Sequence, residues 1–97
     1  MDDEKVVAFL RCSAPAPMRL ALEMANLTDR ERTAVELCGI RGLTYGEAAE
    51  ALQRGNMPRE VDTIKRWYSS AKKKLCMAWD GLYWIDAILD YEASHRR

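Results

Sequence analysis

The sequence predicts an all-α fold, a compact helical domain of about five helices, on three observations. Two stretches carry capping-box signatures, Thr28 with Glu31 and Thr44 with Glu47. Apolar residues recur at helical spacing as far as Leu75. No segment alternates apolar and polar residues over strand length between turn residues, so no strand competes.

The elements follow in order. A short helix is predicted over residues 3–11, with Val6, Val7 and Leu10 on one side. Pro15 and Pro17 interrupt it, because proline lacks a backbone donor and crowds the preceding turn. A second helix is predicted over 18–26, carrying Leu20, Ala21 and Met24. The third starts at the Thr28 box, buries Ala34, Val35, Leu37 and Cys38, and stops between Gly39 and Gly42. The fourth starts at the Thr44 box, and its Ala48, Ala49 and Ala51 let another helix approach closely. After a loop over 53–58, Val61, Ile64, Tyr68, Ala71 and Leu75 form the inward stripe of the longest helix, with Pro58 in its first turn. The opposite face carries Asp62, Thr63, Arg66, Ser69, Ser70 and Lys73, flanked by Lys65, Lys72 and Lys74. The remainder, from Trp79 to Tyr91, is rich in large apolar groups, and either continues that helix or restarts at Asp80-Gly81.

Ninety-seven residues make one domain, divided as N-terminal helices over 1–26, a central unit over 27–78, and a C-terminal aromatic helix and tail over 79–97. No apolar run is long enough to span a membrane, and the acidic start is unlike a secretory signal, so the expected location is cytoplasmic. Cys12, Cys38 and Cys76 are widely spaced, and the one histidine, His95, is in the tail, so no metal or cofactor is expected. Nucleophile elbows and phosphate-binding glycine loops are missing, and the chain reads as a non-enzyme. The net charge is zero, but between Thr63 and Trp79 stand Lys65, Arg66, Lys72, Lys73 and Lys74 with no acid among them. A basic segment thus sits on an acidic remainder, and the local field matters more than the total when a protein meets a polyanion.

Leu27-Thr28-Asp29-Arg30-Glu31, Gly42-Leu43-Thr44-Tyr45 with Glu47 and Ala49, Thr63-Ile64-Lys65-Arg66, and the segment from Ala71 to Leu75 together resemble the helix-turn-helix of sigma factor region four and of LuxR-type regulators. The resemblance covers about half the chain. It departs at the turn between Leu52 and Thr63, which is several residues longer than the family's. Either the turn is enlarged or the recognition helix starts early, at Pro58. The resemblance implies a helix over 60–77 entering the major groove of double-stranded DNA, and a helix from Thr44 crossing the backbone. Lys65, Arg66 and Ser69, with Asp62 or Thr63, would then meet base edges, and Ser70 completes that polar face. Arg41, Thr44, Tyr45, Lys72 and Lys73 would meet phosphates.

These readings lead to a sequence-specific transcriptional regulator, small and of phage or prophage type. Two alternatives stay open: a DNA-recognition subunit for phage packaging (like a small terminase component) or recombination, and a protein-interaction module binding RNA polymerase. A homodimer through Leu82, Ile85, Ile88 and Leu89 would suit a two-half-site operator.

Overall fold

A computed structural model describes residues 1–12 and 15–95 of the chain. Ser13 and Ala14, the start of the predicted break, and Arg96 and Arg97 of the predicted tail lie outside the described residues. The fold is all-α, as the sequence predicts, and the described residues form six helices where about five are expected: α1 (Asp3–Leu10), α2 (Pro15–Met24), α3 (Asp29–Ala34), α4 (Tyr45–Arg54), α5 (Val61–Ala78) and α6 (Tyr83–His95). No helix among the described residues is long and apolar enough to cross a membrane.

Local chemistry accounts for the boundaries. The Asp2 carboxylate accepts from the Lys5 amide at 2.9 Å and caps α1. Helix α2 begins at Pro15, not after the proline pair, because Pro15 and Pro17 both fall where a helix start leaves amides unpaired anyway. Asn26, at φ 52°, ends that segment. Both capping boxes form as the sequence predicts: Thr28 with Glu31 opens α3, and Thr44 with Glu47 opens α4.

Helix α3 runs on without interruption as a π-helical stretch, Val35–Ile40, whose wider winding shows in the Arg41 amide donating to the Glu36 carbonyl at 3.0 Å. Gly39, in this stretch, lies against α1 and α5: a Cβ there would stand 2.7 Å from Leu10 Cδ1 and 3.2 Å from the Tyr68 hydroxyl. Gly42, at φ 69°, then turns the chain toward α4.

Between α4 and α5 the turn is indeed enlarged. Asn56 takes φ 61°, and α5 starts at Val61 with Glu60 as its cap residue, so Pro58 stays in the loop instead of opening the helix. Val61 is 42% exposed, and the inward stripe of α5 accordingly begins at Ile64 and continues through Tyr68, Ala71 and Leu75. Gly81, at φ 82°, separates α5 from α6, which is a helix of its own.

Helices α3, α4 and α5 pack as a three-helix unit, with α3 and its π-helical extension in contact with both partners. Helix α1 lies across α5, α6 and the π-helical stretch. Phe9 and Trp79 meet edge to face at 5.1 Å, and Phe9 and Trp84 at 6.2 Å. The Trp79 indole, fully buried, donates to the Ala21 carbonyl at 2.8 Å and so ties the end of α5 to α2. Ile85 is also fully buried, in the same core. It is therefore unavailable to a dimer interface, and Leu82, Ile88 and Leu89 are half-buried against the core beside it. The large side chains that remain outside here are Met77, Tyr83 and Tyr91.

The tight seat of Gly39 is testable. Gly39→Ala places a methyl group against Leu10 and Tyr68, and is expected to lower unfolding stability by about 1–3 kcal/mol in urea titration, despite alanine's better helix propensity. An unchanged or raised midpoint would contradict the close packing.

Candidate functional site

The outward face of α5 is built from the N-terminal end upward. Asp62, Arg66, Ser69 and Lys73 follow helical spacing and are all exposed, with Lys65 exposed beside them. From Asp62 to Lys73 the helix rises about 16 Å, more than the roughly 12 Å width of a DNA major groove. Lys65, Arg66 and Lys73 make no ion pair among the described residues. They present three cations and a serine hydroxyl to solvent, with Asp62 as the one acid of that face.

What holds this face in position is a carboxylate on the α3 flank of α5. Glu31 is 5% exposed, and its oxygens receive three protein donors. Oε1 accepts from the Thr28 amide at 2.9 Å and the Lys74 ammonium at 2.7 Å, and Oε2 accepts from the Ser70 hydroxyl at 2.6 Å. The capping box of α3 is thereby extended into a tie to α5. Burial by itself would raise the Glu31 pKa; the bonds from Lys74, Ser70 and Thr28 outweigh it and hold the group at about 2, against an ordinary 4.5.

Two of the predicted contact residues are consequently turned elsewhere. Ser70 is exposed at the α3 edge of that face, and its hydroxyl donates to Glu31. Lys72 folds back toward α1, with Nζ 3.6 Å from Asp3 Oδ2 and 4.8 Å from the Tyr68 ring centroid. With Lys74 on Glu31 and Lys72 on Asp3, Lys65, Arg66 and Lys73 are the cations between Thr63 and Trp79 with no ion pair among the described residues. Thr63 is half-buried at the α3 side.

No family model, curated protein or solved structure matches this chain. The site therefore rests on its own geometry.

At the start of α4, the Thr44 oxygen accepts from the Glu47 amide at 3.1 Å and the Thr44 amide donates to Glu47 at 2.9 Å. Tyr45 is half-buried, edge to face with Tyr68 at 6.5 Å, so its ring is fixed by the core while Arg41 is exposed nearby in sequence. The Tyr68 hydroxyl is buried with no hydrogen-bond partner among the described residues, and burial, with nearby Cys38 adding to it, pushes its pKa up. Among the described residues no cluster of His, Cys, Asp and Glu is arranged to hold a metal ion.

Helical spacing puts Trp67 at the flank of the inward stripe, between core and DNA face, but sequence reasoning missed the arginines that meet it. Trp67 is half-buried on the α3 flank of α5, and the guanidinium carbons of Arg30 and Arg59 lie 6.0 and 5.8 Å from its ring centroid. Trp67 lies off the inward stripe, and that position was the available signal. Nothing in the spacing along the chain brings Arg30 and Arg59 to one ring.

The Glu31 tie has a pH signature. Because the folded pKa lies below the ordinary one, its contribution is fully present above about pH 4.5 and is lost as the pH falls toward 2. Glu31→Gln is expected to cost about 1–3 kcal/mol at pH 7 and to flatten the stability profile between those values. Chemical denaturation of both proteins at several pH values checks this; parallel profiles would contradict the tie.

Proposed function

We propose that the chain binds duplex DNA with the outward face of α5 in the major groove, as a small sequence-specific regulator. The observation that carries the reading is the exposed row Asp62, Lys65, Arg66, Ser69 and Lys73, on a helix held rigidly by α3 and α4. Arginine and lysine donate to guanine, serine to several base edges, and aspartate accepts from cytosine, so the row has the donor and acceptor types that read sequence. The beginning of α4, with Arg41, Thr44 and Tyr45, is the natural phosphate contact on the other flank. The likeness of the two capping boxes and of Thr63-Ile64-Lys65-Arg66 to sigma region four and LuxR-type regulators points the same way.

A second reading has its own support at the opposite end. Met77 is 81% exposed, Tyr83 82% and Tyr91 63%, near the acidic Asp80 and Asp90. Exposed aromatic residues of this kind suit a protein partner, such as a polymerase subunit or a second copy of this chain.

The test of the first reading is fluorescence anisotropy with labelled duplexes over a salt series. Lys65→Ala/Arg66→Ala is expected to weaken binding by about 1–3 kcal/mol for each base contact removed. Wild-type protein without duplex affinity at low salt would overturn the reading, and a double variant that binds like wild type would move the contact to another surface.

A further inference from the structure

The Trp67 cluster borders a cleft between α3 and α5. Thr28, Asp29, Arg30 and Glu31 from the start of α3 form one wall, and Arg66, Trp67 and Ser70 from α5 form the other. Arg59 reaches the same indole from the loop before α5. Arg30, Arg59 and Arg66 make no ion pair among the described residues, although the chain holds as many acids as bases. Glu31 does not compete for them, since its oxygens are engaged by Thr28, Ser70 and Lys74. Asp29 is the one remaining carboxylate on the lining.

Arg59 donates through Nη1 to the Pro58 carbonyl at 2.7 Å, which leaves its other N–H groups, with those of Arg30 and Arg66, to match the oxygens of a phosphate. Arg30 and Arg66 line one cleft and repel each other modestly through water, a repulsion that a bound anion relieves. Arg66 belongs both to the cleft and to the outward face of α5, so an anion in the cleft adjoins whatever lies along that face.

We propose that Arg30 and Arg66, with Arg59 beside the same indole, seat a backbone phosphate of duplex DNA beside the recognition face. The cleft and the start of α4 then serve the two flanks of α5. The inference rests on the DNA reading above and names a contact the sequence does not. The enlarged turn before α5 acquires a role in it, because that turn supplies Arg59.

The experiment is a salt series of duplex-binding isotherms for the wild type, Arg30→Gln/Arg59→Gln, Asp29→Asn, Glu23→Gln and Lys65→Ala. Losing one phosphate contact lowers the slope of log affinity against log salt by about 0.9. The double variant is expected to show that loss and about tenfold weaker binding at moderate salt, with the ratio of affinities for two different duplexes unchanged. Asp29→Asn is expected to tighten binding more than Glu23→Gln, which removes the same charge from exposed α2; a gain in affinity cannot arise from misfolding. If the double variant keeps the wild-type slope while Lys65→Ala loses affinity, the recognition face stands and the phosphate seat is overturned. If wild-type protein binds no duplex at low salt, the DNA reading fails and the seat falls with it.

Discussion

The buried carboxylate of Glu31 is the constraint on which the presentation of α5 depends. A helix that packs by an apolar stripe alone has latitude to rotate about its axis, since neighbouring aliphatic side chains exchange at modest cost. Here Ile64, Tyr68, Ala71 and Leu75 set the inward side, and Ser70 and Lys74 are fixed on Glu31 from the α3 side. Directional, charge-assisted bonds convert approximate packing into a defined rotation. Asp62, Arg66, Ser69 and Lys73 are outward because of it. The same carboxylate caps α3, so one side chain couples the beginning of one helix to the middle of another.

A second constraint is steric. The π-helical stretch after α3 brings Gly39 against Leu10 and Tyr68, where no larger residue fits without displacement. Phe9 and Trp79 then carry the packing on to α2 and α6, with the Trp79 indole satisfied by the Ala21 carbonyl. The aromatic C-terminal segment is in this way largely a cover for α1 and the end of α5. Its half-buried residues, Leu82, Trp84, Ile88 and Leu89, belong to the monomer's own core. Three tryptophans in a short chain are accommodated by burying one completely and half-burying two.

Much of the fold was legible because its signals are local. The Thr28 and Thr44 boxes act over a single turn and formed where they were read, and the period of Ile64, Tyr68, Ala71 and Leu75 gave α5 its inward side. The errors have non-local causes. Ser70 and Lys72 lie at or beside the polar face by helical geometry, but Glu31 and Asp3, distant in the chain, draw them aside. Ile85 has the spacing of an interface residue because helical spacing identifies an apolar face without saying what covers it, and here the chain's own core buries it. Pro58 suits a helix start, yet Asn56 and the long turn place that start at Val61. The pairing of Arg30 and Arg59 across Trp67 depends wholly on how α3 and the loop meet α5.

The most direct test of the outward face is amide chemical-shift mapping as a short duplex is added to isotopically labelled protein. The account predicts perturbations concentrated on Asp62, Lys65, Arg66, Ser69 and Lys73, with a second group around Thr44 and Tyr45, and little change along α6. Perturbations centred on Met77, Tyr83 and Tyr91, or none at any salt concentration, would contradict it.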